Sequence, residues 1–150
     1  MRNREIGELN PPSPCTVGVN DTVLEAVRRM VDLGLCMVAA VDGPKLRGTL
    51  TTRAVLRKVV LDGKDPASVK VREIMTPNPP TADLHEDSHE VLDKMERSGA
   101  CYMPVLDAGR VAATASARML LRHEVAGKEQ DIRDIEQRWE YLPPERGFGG

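Results

Sequence analysis

The chain has 150 residues and a formal charge of −2, with 21 Lys and Arg against 23 Asp and Glu. This length gives room for one compact domain or two small ones, and the charge balance lacks the basic excess that nonspecific binding to nucleic acid or an anionic membrane usually needs. Neither a signal peptide nor an apolar window of membrane-spanning length is evident, so we expect a cytoplasmic protein.

Cysteine usage and the scarcity of acid-base pairs exclude further classes. Cys15, Cys36 and Cys101 are odd in number and lack CxxC spacing, which argues against a disulfide framework and a zinc knuckle. We expect reduced thiols, buried and inert. With three histidines and no Ser/His/Asp order, Walker loop or GxGxxG, no catalytic residue is predicted and an enzyme is not expected.

The chain repeats itself with an offset of 65 residues. Residues 6–57 align with 71–122 without a gap, and 13 of these 52 positions are identical. A gapless match at this level indicates a tandem duplication. We therefore predict a first repeat in residues 1–62, a second in 63–126, and a charged C-terminal helix with a loose tail in 127–150.

Within each copy, the predicted elements follow in the same order. Extended segments come first, in PCTVGV and PTADL, where prolines restrict their neighbours to extended geometry. Thr22 and Asp87 then stand at helix N-cap positions, and Gly34 and Gly99 mark left-handed C-terminal stops. Two apolar runs around an Asp-Gly or Asp-Ala-Gly turn predict a β-hairpin, and a second helix follows at TTRAVL or SARMLL. The predicted fold is α/β (α+β), with β-α-β-β-α made twice.

This order, together with three local motifs, resembles the CBS domain, named for cystathionine beta-synthase. The motifs are VREIMTPNPPTA, MPVLD before the hairpin turn, and a glycine-led strand that ends in Ser or Thr before the last helix. The resemblance covers about residues 5–125 and is stronger in the second copy. It implies that the two repeats pack through their sheets as a pseudo-twofold pair, often called a Bateman module. It also implies a homodimer, a disk of four CBS repeats.

The resemblance further implies an adenine nucleotide or S-adenosylmethionine as ligand. In the family, the Ser or Thr that ends the third strand and an Asp three residues later hold the ribose hydroxyls. The matching hydroxyls are Thr51 and Ser116, but the Asp positions hold Ala54 and Met119, which accept no hydrogen bond. Thr51 and Ser116 also suit simple helix capping, which is the interpretation that these two replacements favour.

The resemblance assigns the other ligand contacts to strand openings and first helical turns. For the two arginines assigned to phosphate, the alternative is a solvent-exposed side chain with no ligand, because arginine is mostly exposed in proteins. The positions are Thr16 and Thr81 beside the base, Met37, Val38, Tyr102 and Met103 at the strand openings, and Arg53 and Arg118 for phosphate.

Three functional hypotheses follow. The first is a CBS pair that senses an adenosine-containing ligand and signals to an unidentified partner. The second is a ligand-independent dimerisation or adapter module, favoured by Ala54 and Met119. The third is a metal or thiol sensor, which rests on the matched Cys36 and Cys101 and on the stretch DLHEDSHE.

Two remaining features have simple structural interpretations. In DLHEDSHE, the predicted N-cap at Asp87 lies between His85 and His89, so the histidines should not share a helix face and no metal site is predicted. In the tail, Ile132, Ile135 and Trp139 form a narrow apolar stripe, which we expect to pack on the protein itself.

Overall fold

Residues 4–124 are described in the computed structural model of the chain. The predicted C-terminal helix and its apolar stripe lie outside these residues. The described elements, in chain order, are a 3-10 helix Ile6–Leu9, β1 Thr16–Gly18, α1 Val23–Leu33, β2 Met37–Asp42, β3 Lys45–Thr51, α2 Thr52–Val55, continued by a π-helical turn Leu56–Val60, α3 Val71–Ile74, β4 Thr76–Pro77, β5 Ala82–Asp83, α4 Ser88–Ser98, β6 Tyr102–Asp107, β7 Arg110–Ser116 and α5 Ala117–Glu124.

The two long helices begin and end as their sequences predict. The Thr22 hydroxyl accepts a hydrogen bond from the Glu25 amide at 3.2 Å, and the Asp87 carboxylate accepts one from the His89 amide at 3.2 Å. Each bond satisfies one of the amide donors that the first helical turn leaves unpaired. At the other end, Gly34 and Gly99 adopt left-handed φ angles of 66° and 72°.

Two sheets carry the strands in matching order. The first is β1-β2-β3-β4 and the second is β5-β6-β7. In each sheet, the first strand is parallel to the second, and the second and third strands form an antiparallel hairpin. Both hairpins have an irregular register at equivalent places, between Ala40 and Val41 and between Val105 and Leu106. The predicted α/β fold, with the same element order in both repeats, is confirmed.

The hairpins are buried on both faces. In the first hairpin, Val38, Ala40 and Leu50 point into a core shared with α1. Met37 and Thr49 lie on the opposite face of the same strands and are also buried. Because successive side chains on a strand point to opposite faces, this second buried face must meet another layer. That layer is the second repeat, and β3 contacts β7 across it, which confirms the predicted packing of sheet against sheet.

Each repeat completes its core with a short helix that belongs, in sequence, to the other repeat. Ile6 and Leu9 of the 3-10 helix are buried in the core of the second repeat. Val71 and Ile74 of α3 are buried in the core of the first repeat. We name this arrangement the lead-in exchange, since each helix leads into one repeat and packs on the other.

The backbone hydrogen bonds of the lead-in exchange obey the same twofold relation as the repeats. The Ile6 amide donates to the Glu86 carbonyl at 2.9 Å, and the Val71 amide donates to the Asp21 carbonyl at 2.9 Å. The donor of the second bond lies 65 residues after that of the first, and its acceptor lies 65 residues before that of the first. The boundaries predicted for the repeats therefore describe the sequence repeat, while each physical core draws on both.

Candidate functional site

A cavity of about 440 Å³ lies where the two repeats meet. We call it the interrepeat cavity. The first repeat contributes the openings and ends of its central strands and the start of α2, and the second contributes the loop after α4 and the start of β6. Its lining residues are Cys36, Met37, Thr49, Thr51, Thr52, Arg53, Thr76, Pro79, Pro80, Ser98, Gly99, Ala100, Cys101, Tyr102 and Pro104.

Thr51 lies at the end of β3, on the wall of the interrepeat cavity. Its Oγ1 accepts a hydrogen bond from the Ala54 amide at 3.1 Å, so the predicted capping role is confirmed. A hydroxyl has one hydrogen to donate and two acceptor lone pairs, and the cap uses only one lone pair. Capping therefore leaves the Thr51 O–H available to a molecule in the cavity. Contact with a ligand stays a prediction.

Among the described residues, one supplies the charge of the interrepeat cavity. Arg53 is exposed on the first turn of α2 and, among the described residues that line the cavity, carries the only full charge at neutral pH. Ala54, at the position where the family resemblance implies an Asp, is half-buried against the core of the first repeat. The cavity therefore offers hydroxyls and one cation, and Ala54 adds no carboxylate to it.

Among residues 4–124, the equivalents of Thr51 and Arg53 line a concavity separate from the interrepeat cavity. The Ser116 Oγ accepts from the Met119 amide at 3.1 Å, which matches the cap at Thr51. However, Ser116 and Arg118 line a separate concavity of about 340 Å³, together with Met119 and two residues further along α5, Arg122 and His123. Thr16 lines a third and more open concavity of about 730 Å³.

The residues predicted to contact a base divide into two groups. Met37 and Tyr102 line the interrepeat cavity. Val38 and Met103, the next residue along each strand, are instead buried in the cores of their repeats. Strand alternation explains the division, because neighbouring residues cannot both face the cavity.

The backbone carbonyls of Thr16 and Thr81 each accept a hydrogen bond from a cationic side chain. The Thr16 carbonyl accepts a hydrogen bond from the Arg29 guanidinium, and the Thr81 carbonyl accepts one from the Lys94 ammonium at 2.6 Å. Arg29 and Lys94 lie at equivalent positions of α1 and α4. These cations therefore tie the start of each parallel strand to the long helix of the same repeat.

Tyr102 contacts the thiol of Cys36 across the repeat boundary. Partial burial raises the pKa of the Tyr102 hydroxyl, and the neighbouring Cys36 raises this pKa further through electrostatic repulsion of the phenolate and through a hydrogen bond. These effects disfavour the phenolate. The hydroxyl is therefore protonated at neutral pH and has a hydrogen to donate.

The thiols are more accessible than expected. Cys36 and Cys101 are exposed, and Cys15 is half-buried. The expectation of buried, inert thiols is wrong for the first two, because they lie in the loops that follow Gly34 and Gly99 rather than inside the strands. Both line the interrepeat cavity.

The histidines of DLHEDSHE are separated by the helix cap, as predicted. His85 precedes α4 and is exposed, with its Nδ1 3.2 Å from Oε2 of Glu5. The hydrogen bond to Glu5, and then the negative charge of this carboxylate, raise the pKa of His85 above its ordinary value. Within residues 4–124, no group of three His, Cys, Asp or Glu side chains is placed to hold a metal ion.

Several cavity residues were not predicted. Thr49 lies two positions before Thr51 on β3, so strand alternation alone could have placed it on the same face. Ser98, Gly99 and Ala100 come from the end of α4 in the other repeat. Their presence depends on how the repeats pack, and no local pattern in the sequence encodes that.

The fold and the cavity place the protein among tandem α/β modules that arose by duplication and have a cavity at the interface of the two repeats. No helix within residues 4–124 is long and apolar enough to cross a membrane. The chain belongs to the CBS domain family, whose pattern matches residues 6–61 and 71–126.

Comparison with individual proteins agrees with the family. The chain is 31% identical to the CBS domain-containing protein CBSCBSPB3 of Arabidopsis thaliana over 107 residues, which are 71% of this chain and 19% of that protein. It spans about a fifth of the length of the Arabidopsis relatives that it matches.

Solved structures show the same fold. A protein with CBS domains from Burkholderia ambifaria superposes with a TM-score of 0.75 at 26% identity, over 82% of this chain and 95% of that one. The CBS domain pair of protein MJ0100, solved in complex with 5′-methylthioadenosine and S-adenosyl-L-methionine, superposes with a TM-score of 0.73 at 24% identity, over 85% and 99%.

Proposed function

We propose that this CBS pair is a regulatory module that binds an adenosine-containing ligand in the interrepeat cavity and signals its occupancy to a partner protein. The observation that carries the proposal is the position of Thr51, whose free O–H lies at the cavity wall beside the first turn of α2. Thr49 and Thr76 add hydroxyls to the same cavity, and Tyr102 adds an aromatic ring.

The charge of the cavity narrows the class of ligand. One exposed guanidinium, on Arg53, matches at most one phosphate group, while a triphosphate brings several negative charges that the lining does not neutralise. We infer a nucleoside or nucleoside monophosphate in preference to ATP. Binding of 5′-methylthioadenosine by the MJ0100 pair is compatible with this class, since that nucleoside has no phosphate.

Ala54 limits the affinity that such a ligand reaches. A carboxylate at this position would accept hydrogen bonds from the ribose diol, and a hydrogen bond to a charged group contributes about 1.5–3 kcal/mol. We therefore expect Ala54→Asp to tighten binding by about tenfold to a hundredfold. Met119→Asp is the matched control, because Met119 lies in the separate concavity beside Ser116.

Titration calorimetry tests the proposal on the wild-type chain, these two variants and Arg53→Gln. The ligands are 5′-methylthioadenosine, AMP, ADP, ATP and S-adenosylmethionine. We expect binding of the first two to exceed that of ATP, to weaken in Arg53→Gln for AMP only, and to tighten in Ala54→Asp. Absence of heat with all five ligands, in wild type and in Ala54→Asp alike, would refute a nucleoside-binding cavity.

The exposed apolar face of the first repeat favours a second candidate function, a dimerisation or adapter module. Val31 and Leu61 are 74% and 79% exposed, and Leu33, Leu56 and Val60 are also exposed. A cluster of exposed aliphatic side chains of this kind marks an interaction surface. We name these five residues the α1/α2 face.

We infer that a second copy of the chain covers the α1/α2 face. In such a dimer, a twofold axis perpendicular to α1 places the two α1 helices antiparallel. Exposed Arg28 of one copy then faces exposed Asp32 of the other. The equivalent of Val31 in the second repeat is the exposed Glu96, so the two repeats do not offer the same surface. A homodimer through the first repeat follows, and it requires no ligand.

A further inference from the structure

Two thiols from different repeats share the interrepeat cavity. Cys36 and Cys101 lie at equivalent positions, directly before β2 and β6, and both are exposed. Gly34 and Gly99, two residues before each thiol, have no neighbouring atom within 4 Å of where a Cβ would stand. The turns before the two thiols are therefore open to solvent.

The surroundings of the pair favour covalent thiol chemistry over a metal site. Structural zinc sites need four donors, and the described residues hold no cluster of three ligating side chains. The described residues that line the cavity add neither a carboxylate nor an imidazole to Cys36 and Cys101. Two thiols without further ligands can still react with each other.

Tyr102 lies close to both thiols. Its hydroxyl interacts with the Cys36 sulfur across the repeat boundary. Cys101 directly precedes Tyr102 in the chain, so the second thiol lies near the same contact.

We propose that Cys36 and Cys101 form an oxidation site in which a hydroperoxide converts the two thiols to a disulfide that joins the repeats across the cavity. The thiolate of one cysteine attacks one peroxide oxygen, the O–O bond breaks, and the other oxygen leaves as water or an alcohol after taking up a proton. The thiol of the other cysteine then attacks the sulfenic sulfur, the S–O bond breaks, and the sulfenic oxygen leaves as water. The two sulfurs are oxidised by two electrons, and the peroxide is reduced by two.

The disulfide would act on the proposed ligand contacts through the backbone. The Cys36 carbonyl accepts a hydrogen bond from the Thr52 amide at 3.1 Å, and the Cys101 carbonyl accepts one from the Ala117 amide at 2.9 Å. Movement of either loop therefore displaces the first residue of α2 or α5, next to Thr51 or Ser116. Closure across the cavity also removes space that a ligand would occupy.

Oxidation of the full reduced chain tests this site. The variants are Cys15→Ser, which keeps the pair, and Cys36→Ser and Cys101→Ser, which each break it. After hydrogen peroxide, and separately after equilibration with oxidised glutathione, free thiols are counted and intact mass and peptide maps are measured without reductant. Thermal melts of the reduced variants confirm that all are folded.

The expected result is loss of two thiols and two hydrogens within a single chain, in wild type and Cys15→Ser, with a peptide that links Cys36 to Cys101. Neither Cys36→Ser nor Cys101→Ser should form a link within the chain, and the remaining cavity thiol should instead gain oxygen or a glutathione adduct. Glutathione adducts alone, or links between chains, in the wild type and Cys15→Ser would overturn the proposal. Because the readout is covalent and needs no nucleoside, its failure is distinct from failure of ligand binding.

Discussion

At the scale of single residues, Thr51 and Ser116 each cap a helix with one lone pair of the hydroxyl and keep the O–H for another hydrogen bond. Each hydroxyl accepts from the amide three residues later at 3.1 Å. Only Thr51 lines the interrepeat cavity. The two caps therefore provide a matched pair in which stability and ligand binding can be separated.

We expect Thr51→Val and Ser116→Ala each to lower the free energy of unfolding by about 1 kcal/mol, because each removes an N-cap acceptor. Thr51→Ser should keep the cap and the stability. Urea denaturation measures the three variants against wild type. Equal stability of Thr51→Val and Thr51→Ser would show that the cap contributes nothing.

The pair of His85 and Glu5 has a predictable pH dependence. Since the pKa of His85 is raised in the folded state, the stabilising contact is fully present below the unfolded value of about 6.5 and is lost as pH rises through the folded pKa. An NMR titration should show His85 titrating above about 6.5 and returning toward that value in Glu5→Gln. Glu8→Gln, on the 3-10 helix that follows Glu5, should leave the titration unchanged.

At the scale of elements, the lead-in exchange is the feature that determines how the cores depend on each other. The 3-10 helix Ile6–Leu9 completes the second core, and α3 completes the first. Damage to a lead-in helix should therefore appear in the repeat that it packs on. It should not appear first in the repeat whose sequence it precedes.

We expect Ile6→Ala to destabilise the protein by about 2–5 kcal/mol, because a fully buried side chain is truncated. Hydrogen exchange should accelerate mainly in β5–β7 and α4 of the second repeat. Ile74→Ala should give the mirror result in β1–β3 and α1. If Ile6→Ala instead accelerated hydrogen exchange first in the first repeat, the lead-in exchange would not describe the protein in solution.

Gly48 marks another element-scale contact that differs between the repeats. A Cβ at Gly48 would lie 2.6 Å from the Thr76 carbonyl oxygen and 2.7 Å from Sδ of Met75, where β4 pairs with β3. We expect Gly48→Ala to cost about 1–3 kcal/mol in urea denaturation. Gly18→Ala is the control, since its Cβ would meet only the movable Asp21 carboxylate at 3.3 Å, and an equal loss there would argue against the clash.

Sequence reasoning predicted the local features of these elements and missed the exchange. Caps at Thr22 and Asp87 and the stops at Gly34 and Gly99 depend on a few neighbouring residues, so they could be predicted. The lead-in exchange could not, because Ile6 and Leu9 match Val71 and Ile74 in apolar character and spacing, so the sequence does not say which core each helix enters. Likewise, alternation along one strand separates Met37 from Val38, whereas the approach of Ser98–Ala100 requires the packed pair.

At the scale of the whole molecule, the twofold relation holds in the backbone and is broken at the surface. The interrepeat cavity gathers Thr51, Arg53, Met37 and Tyr102, while the equivalents of the first two line a separate concavity. The α1/α2 face is apolar in the first repeat, and Glu96 replaces Val31 in the second. One ligand per chain and one dimer interface through the first repeat are the expected consequences.

Sedimentation velocity tests the expected dimer. Val31→Asp adds a charge at the α1/α2 face and should shift the protein to the monomer without unfolding it, because Val31 is exposed. Glu96→Gln, at the equivalent exposed position of the second repeat, should leave the dimer intact. A Val31→Asp variant that sediments like wild type would exclude this face as the interface.

The lead-in exchange also has a consequence for the evolutionary origin of the chain. A half-length chain that ended near residue 62 would contain Ile6 and Leu9 with no core to receive them, and its own core would lack counterparts of Val71 and Ile74. Two identical half-length chains could supply these side chains to each other by mutual swapping. Gene duplication and fusion would then have linked subunits that already needed one another to fold.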